Sequence, residues 1–485
     1  MTKSQKKLYN ITKYLIIFTS IFLFTISTPS NIKFNFALII LLFSIFVPLL
    51  LFIKRKNFDL FDPIYLFGYF FSLLYLFTSI YIYNYYSPDL FTSLKFDPFD
   101  DINFYLILYL SFSIILLYLG YYVSSRIHKN KKTSRINNTK LISFEKYMLP
   151  LYIFSIIFRI YGYGEGFMGS TVGQSNITLP SIPFISFFMF ISNIWFIYFG
   201  FYSLLSFSSK KYRKIFLLFL IIEIFFTVIS GNRRDMLTIL LIYLASMWYN
   251  KGVFPWKKVA KWGVVILVVF IPVTTIYGYS LAYNTGENPN INDILVLFKN
   301  SLNILFKSGI DFSLFHFIFF PFIQSYSGLP NVSIGFTEFY QKNLTFGAIG
   351  LTNFTKMILP TFLAPDKHYY AREFINLYGY HALTYHIIYS PLTILFPTEM
   401  LMSYGIISLF IGMFFLGFLM NSIYKIFNSY KSPLIYRVFY ISSIPFFSYQ
   451  LNASWLLGDL ITPLRLIFYL ILFRFFYIQL KKVNG

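Results

Sequence analysis

Apolar runs long enough to cross a lipid bilayer recur along most of this chain, and basic loops separate many of them. The run at 34–53, for example, contains no charged residue and is followed directly by Lys54, Arg55 and Lys56. Inside lipid a backbone must satisfy its own hydrogen bonds, so runs of this length fold as helices. With 57% hydrophobic and 12% charged residues, the chain is predicted to be an all-α polytopic membrane protein, one integral membrane domain over residues 1–485.

The basic loops orient these runs, because Lys and Arg concentrate on the cytoplasmic side of a membrane protein. About twelve transmembrane helices with both termini in the cytoplasm satisfy every basic loop. Residues 282–397 interrupt the regular alternation of spans and short loops, because they contain aromatic stretches but no uncharged run long enough to span a bilayer. We expect one large outer, periplasmic loop there, between helices nine and ten, carrying interfacial or re-entrant helices. The tenth span is expected to begin near Glu399.

Charge and cysteine content exclude several classes of function. The net charge of +22 comes mainly from Lys and Arg in short loops, which does not indicate a nucleic-acid partner. The chain has no Cys, so disulfides, thiolate zinc sites and catalytic thiols are absent. The spacing of His381 and His386 lacks the companions of a zinc motif, so neither metal nor cofactor is expected. The chain has a single long outer loop, late in the sequence, and no internal repeat is visible. Secondary transporters usually consist of two related halves, so this asymmetry favours an enzyme over a carrier.

A double arginine at the wrong end of a helical hairpin is the main candidate for ligand binding. Arg233 and Arg234 lie in the short link between two apolar runs whose other ends are basic, so they are predicted to face outward. Two permanently charged guanidinium groups suit a phosphate or diphosphate. The alternative is an interfacial anchor, with the side chains reaching outer lipid phosphates and Asp235 as a local partner.

A second group of candidates lies in or near the large outer loop. Arg372 shares a predicted helix face with Asn376, and an Arg with nearby His could clamp a leaving group or move a proton. A polar loop without a function explains the same residues equally well. The histidines in question are His368, His381 and His386.

Charged residues near or inside the predicted spans complete the set. Glu399, at the outer mouth of span ten, is either a general base for a sugar hydroxyl or a carboxylate near the helix N-terminus. Glu223 in span seven, Arg465 in span twelve and Arg159 in span five are buried by prediction. Such charges are functional or paired with one another by default.

In layout the chain resembles the Wzy family, the O-antigen and capsule polysaccharide polymerases, also called oligosaccharide repeat unit polymerases. The resemblance lies in the dozen spans, the late outer loop, the Gly-Asn-Arg-Arg turn at 231–234 and the segment 397–419 that begins Pro-Thr-Glu-Met. It implies a GT-C-like helical bundle in the bacterial cytoplasmic (inner) membrane, with the active site facing the periplasm.

The resemblance also implies a glycosyltransferase reaction. Such an enzyme joins repeat units carried on undecaprenyl diphosphate, without metal, and the lipid diphosphate is the leaving group. Membrane lipids and a chain-length regulator protein are further candidate partners. The alternatives are an O-antigen ligase-like glycan transferase and a lipid-linked oligosaccharide flippase or transporter.

Under this resemblance the candidates take roles. Arg233 and Arg234 bind the diphosphate, with Arg372, Arg465 and Arg159 as further substrate-binding residues. The base that deprotonates the acceptor hydroxyl is Glu399 or one of the three histidines, His368, His381 and His386.

Overall fold

A computed structural model of the chain describes residues 1–29, 31–55, 58–80, 101–127, 145–164, 195–230, 233–252, 254, 256–265, 396–428 and 434–450, with single positions at 296, 299, 332, 333 and 336. Throughout these residues the secondary structure is helical, without strands, as the apolar runs predict. In chain order the helices are α1 (Lys3–Thr25), α2 (Ile32–Ile53), α3 (Pro63–Phe71, continued by a π-helical turn Ser72–Phe77), α4 (Asp101–Ile127), α5 (Glu145–Gly164), α6 (Trp195–Leu205), α7 (Lys210–Ser230), α8 (Arg233–Lys251), α9 (Trp256–Val265), α10 (Phe396–Phe427) and α11 (Leu434–Pro445, continued by a π-helical turn Phe446–Gln450).

Several helices in the described part of the chain are long and apolar enough to span a membrane. These five are Ser4–Thr25, Ile32–Ile53, Pro63–Ile80, Asp101–Ile127 and Tyr404–Phe427. The structure is therefore consistent with an α-helical membrane protein. Helices α7 and α8 are 21 and 19 residues long but carry more charged residues than these five, Glu223 inside α7 among them. Other expected spans fall on shorter helices or outside the described residues.

The helical hairpin predicted around the double arginine is present. Helix α7 ends at Ser230 and α8 begins at Arg233, so only residues 231 and 232 separate them. Lys210 and Lys251 therefore share one end of the hairpin and Arg233 lies at the other. At 1.5 Å per residue the two ends are about 30 Å apart, which matches the thickness of a bilayer core.

Hydrogen bonds bring several basic helix ends to the same end of the bundle. Gln5, near the start of α1, donates from Nε2 to the carbonyl oxygens of Ile53 and Arg55 at 3.0 and 2.8 Å. At the start of α5, the Glu145 carboxylate accepts a hydrogen bond from Tyr212 OH, near the start of α7. The start of α1 and the end of α2 are thus joined, as are the starts of α5 and α7.

The C-terminal end of α8 lies at this end as well. Lys251 Nζ is 5.4 Å from the centroid of the Phe207 ring, just before α7, and Trp248 Nε1 donates to Asp59, just after α2. We call this end of the bundle the basic end and the opposite one the far end. Basic residues at the basic end include Lys6, Lys7, Lys54, Arg55, Arg126, Lys210, Lys211 and Lys251.

Helices α4 and α10 pack unusually closely through two glycines. A methyl group placed on Gly120 would lie 2.0 Å from the carbonyl oxygen of Phe414, and one on Gly417 would lie 1.9 Å from that of Leu117. Small residues allow this approach of helix backbones, which is a common basis of packing inside membranes. Asn421 Nδ2 also donates to Ser124 Oγ across the contact, at 2.9 Å.

Helix α10 contains a reversal of direction near its start. Tyr404 and Gly405 have non-helical backbone angles, and Gly405 has a φ of 72°, a conformation open to glycine. A methyl group on Gly412 would lie 2.6 Å from Met400 Sδ and 3.8 Å from Phe396 Cζ. A straight helix would separate Phe396 from Gly412 by about 24 Å. Residues 396–403 therefore form a short helix folded back along the span 404–427.

Candidate functional site

The double arginine begins a helix at the far end of the bundle. Arg233 is the first residue of α8, and Asp235 lies in the same first turn. The side chains of Arg233 and Arg234 lie outside the described part of the structure. The backbone at this position already favours an anion, because the first turn of a helix has free N–H groups and a partial positive charge. Two arginines at that position add to a site that already favours an anion.

Beneath this turn, Arg159 and Glu223 form a buried ion pair between α5 and α7. Arg159 donates from Nη1 to Glu223 Oε2 at 2.7 Å and from Nη2 to Oε1 at 2.6 Å, a bidentate arrangement. The exposed fractions of the two side chains are 5% and 1%. Tyr152 OH also donates to Glu223 Oε1. The sequence singled out both charges as members of one set, and the structure shows that they are partners.

The surroundings of the pair are aromatic. The Arg159 guanidinium carbon lies 4.1 Å from the centroid of the Phe226 ring and 5.8 Å from that of Trp195. A guanidinium over an aromatic face gains a further electrostatic attraction when it is out of water. The pair as a whole is neutral, which reduces the cost of keeping its charges away from solvent.

The depth of this pair follows from the helix geometry. Arg159 lies about 20 Å along α5 from its start at the basic end. Glu223 lies about 10 Å before the end of α7, where the turn to Arg233 begins. The pair therefore holds the far-end part of α7, the helix that precedes the double arginine, against α5. Arg159 was predicted to bind substrate; in the structure its guanidinium holds an internal carboxylate.

Glu399 is buried, with 8% of its surface exposed, and the neighbouring Thr398 is fully buried. From the sequence, Glu399 was expected near the start of the tenth span; in the structure α10 begins at Phe396, and the part of it long and apolar enough to span a membrane is Tyr404–Phe427. Because Phe396 and Met400 both contact Gly412, Glu399 belongs to the folded-back segment. It lies about 8 Å from the reversal along this segment, and its side chain is buried in the bundle.

Five further candidates lie outside the described residues. They are His368, His381, His386, Arg372 and Arg465. Their roles stay predictions from the sequence. Among the described residues, no group of three or more His, Asp or Glu side chains could hold a metal ion.

At the basic end lies a buried carboxylate that no pattern in the sequence predicts. Asp59, in the link between α2 and α3, is 6% exposed and accepts hydrogen bonds from several neutral donors. Its Oδ1 accepts from Trp248 Nε1 at 2.9 Å and from the backbone N–H of Phe61 at 3.1 Å. Its Oδ2 accepts from Tyr249 OH at 2.6 Å and Tyr424 OH at 2.8 Å.

The same oxygen accepts a third donor, Asn428 Nδ2, at 3.1 Å. Burial raises the pKa of Asp59, and the hydrogen bonds from Tyr249 and Tyr424 partly oppose that effect. Nearby, Tyr121 OH donates to both oxygens of Asp62 at 2.6 Å, and burial raises the pKa of Asp62 to about 7. An Asp placed three residues after the last lysine of a basic loop gives no sequence signal, because such positions usually face water.

No family model, curated protein or solved structure matches this chain. What the chain does is therefore inferred from its own residues and their arrangement.

Proposed function

We propose that this chain polymerises oligosaccharide repeat units carried on undecaprenyl diphosphate, at the outer face of the bacterial cytoplasmic membrane. Arg233 and Arg234 bind the diphosphate of the lipid carrier. The products are O-antigen or capsular polysaccharide chains.

The observation that carries this proposal is the position of the double arginine. Arg233 starts α8 about 30 Å from Lys210 and Lys251, at the end of the hairpin that the charge rule leaves poor in basic residues. Arginine away from the cytoplasmic side is costly to keep, so a function that needs it is favoured. An anion also gains from the helix N-terminus at which these residues lie.

The reaction transfers the growing glycan from its lipid diphosphate to a hydroxyl of the next unit. The acceptor oxygen bonds to the anomeric carbon, and the bond from that carbon to the diphosphate oxygen breaks. The departing diphosphate keeps the electron pair, and fixed cationic donors stabilise the charge that develops on it. The acceptor proton passes to a base, Glu399 or one of His368, His381 and His386.

The buried pair supports this arrangement from below. Arg159 and Glu223 join α5 to α7 about 10 Å under the turn, which holds the end of the hairpin against the bundle. A helix start held close to the bundle favours preorganised electrostatic stabilisation, in which the cationic donors need no reorganisation during the reaction.

The test is complementation of a strain from which the gene is deleted, with surface polysaccharide separated on a gel. Arg233→Ala should leave single repeat units on their acceptor and remove long chains. The loss of one such donor costs about 3–4 kcal/mol of barrier, a factor of about 100–1000 in rate. Arg126→Ala is the matched control, because this exposed arginine lies at the basic end.

The pattern of products distinguishes the alternatives. Full-length chains with Arg233→Ala would contradict the proposed role of the arginine. Long chains that stay on the lipid carrier in the deletion strain would indicate a ligase. The absence of every repeat unit from the surface would indicate a carrier.

A further inference from the structure

Asp59 joins the C-terminal ends of two helices that are distant in sequence. Tyr249 lies near the end of α8, Tyr424 near the end of α10, and Asn428 just beyond it. All three donate to the single oxygen Oδ2 of Asp59, and Asn428 Nδ2 also donates to Tyr249 OH at 3.1 Å. The Trp248 indole adds a second bond from α8 through Oδ1.

A third helix, α11, also contacts this joint, by which we mean Asp59 and the ends of α8 and α10 that donate to it. Tyr440, in α11, donates from OH to the carbonyl oxygen of Phe61, two residues after Asp59. Its ring packs against the rings of Tyr424 and Tyr249, with centroids 5.5 and 6.3 Å apart. The link between α2 and α3 thus sits in a pocket made by the ends of α8, α10 and α11.

The opposite ends of α8 and α10 carry the candidate site. Helix α8 begins with Arg233 and Arg234, about 27 Å from its C-terminal end. Helix α10 begins with the folded-back segment that contains Glu399. A shift of the C-terminal end of α8 is passed along the helix to Arg233. A shift of α10 is passed along residues 406–427 to Gly412, against which Met400 of the folded-back segment packs. Asp59 accepts hydrogen bonds from both helices, α8 and α10.

We propose that Asp59 is a positioning residue that sets the depth and register of α8 relative to α10. Its carboxylate thereby holds Arg233 and Arg234 in their relation to Glu399 from the opposite end of the bundle. The catalytic consequence depends on the proposed function, whereas the register itself does not.

The substitution Asp59→Asn tests the joint with little change of shape. An amide NH2 in place of Oδ1 meets two N–H groups that can only donate. In place of Oδ2 it meets the NH2 of Asn428 and two hydroxyls that must reverse to accept. Tyr249→Phe is a milder second variant, because it removes only the hydroxyl by which α8 reaches Oδ2. It keeps the measurement possible if Asp59→Asn does not fold.

The readout is the distance between the far ends of the two helices in the folded protein. Since the chain has no Cys, two introduced cysteines take up a pair of spin labels without any background. Met236→Cys near the start of α8 and Ile407→Cys on α10 form the test pair. Ile407 is 70% exposed, so its label disturbs little packing. Pulsed electron resonance measures the distance distribution.

Two controls separate positioning from general damage. Asp62→Asn changes a neighbouring carboxyl that accepts from Tyr121 of α4 and from Ile64, and the amide can still cap α3. A reference pair, Phe36→Cys on α2 with Ile407→Cys, reports a part of the bundle that α4 holds together through Tyr118, whose OH donates to Ile45.

We expect Asp59→Asn to shift or broaden the Met236–Ile407 distribution and to leave the Phe36–Ile407 distribution unchanged. Asp62→Asn should leave both unchanged. The same distribution in Asp59→Asn and in the parent chain would overturn the proposal, as would equal changes in both label pairs.

Polymer length in cells then separates this proposal from the proposed function. A shifted distance in Asp59→Asn, together with full-length polymer in both Asp59→Asn and Arg233→Ala, would support the role of Asp59 in the helix register and contradict the role of Arg233 in polymerisation. Loss of polymer in Arg233→Ala, with an unshifted distance and normal polymer in Asp59→Asn, would support the role of Arg233 and refute the positioning role of Asp59.

Discussion

Two buried carboxylates in this protein meet opposite kinds of partner. Glu223 faces the guanidinium of Arg159, and Asp59 faces neutral hydroxyl, indole and amide donors. A carboxylate surrounded by neutral donors keeps its bonds without a counter-charge. A carboxylate paired with a cation loses most when that cation is removed, because the remaining charge stays buried and uncompensated.

At the residue scale this asymmetry predicts the cost of breaking the buried pair. Arg159→Ala should lower the free energy of unfolding by about 3–5 kcal/mol, since Glu223 is left buried without its cation. Thermal unfolding of the purified protein in detergent measures the change. Replacing both partners with apolar residues, Arg159→Met with Glu223→Leu, should restore most of the loss.

The exposed pair of Lys33 and Asp101 is the control for this prediction. Its atoms are 3.2 Å apart, but the side chains are 72% and 68% exposed. Lys33→Ala should therefore change stability by less than about 1 kcal/mol. Equal effects of Lys33→Ala and Arg159→Ala would show that the pair inside the bundle contributes no more than a surface contact.

Whether a buried charged residue can be predicted from the sequence depends on the residues that surround it in the chain. Glu223 and Arg159 stand out because each interrupts an apolar run, and a charge in lipid calls for a partner. Asp59 does not stand out, because it follows a basic loop where acids are ordinary. Its partners Trp248 and Asn428 are 189 and 369 positions away, so only the folded chain brings them together.

At the scale of the helices, the contact between α4 and α10 depends on glycine. Gly417→Ala would place a methyl group 1.9 Å from the carbonyl oxygen of Leu117, and a backbone atom cannot turn aside as a side chain can. We expect the two helices to separate locally at a cost of about 1–3 kcal/mol, typical of overpacking. The melting temperature in detergent should fall accordingly.

Gly263→Ala, in α9, is the matched substitution. A methyl group there has nothing within 4 Å, so helix propensity alone should keep stability unchanged or raise it by up to about 1 kcal/mol. If Gly417→Ala melts no earlier than Gly263→Ala, the close approach of α4 and α10 does not hold in solution.

The helices themselves were largely predictable, and the reversal in α10 was not. The uncharged run that forms α2 and the short link in the α7–α8 hairpin both follow from composition and charge. Gly405 offers no such signal, because glycine is frequent in membrane helices and usually stays helical. Contact of Met400 with Gly412 is a tertiary event, and it moves Glu399 from the expected mouth of a span into the bundle.

At the scale of the whole molecule, the basic end and the far end should lie on opposite sides of the membrane. The charge rule places the basic end in the cytoplasm. In the Cys-free chain, Thr28→Cys at the far end should react with a membrane-impermeant maleimide added to intact cells. Ser208→Cys, exposed at the basic end, should react only after the membranes are broken.

Reaction of Ser208→Cys in intact cells, with Thr28→Cys protected, would reverse the orientation. Arg233 and Arg234 would then face the cytoplasm, and the proposed polymerase would lose its access to outer-leaflet substrate. Both positions are exposed, so burial does not explain a difference between them.

The hydrogen bonds of Asp59 also set an order of events during synthesis. Trp248 and Tyr249 emerge from the ribosome long after Asp59, and Asn428 later still, 369 positions along the chain. At the usual 5–20 residues per second, that interval is about 20 to 70 s. Until then the carboxylate lacks these partners, so a nascent or truncated chain that stops before Tyr424 carries an incomplete joint. The hydrogen bonds of Asp59 are therefore complete only in a chain that has been synthesised beyond Asn428.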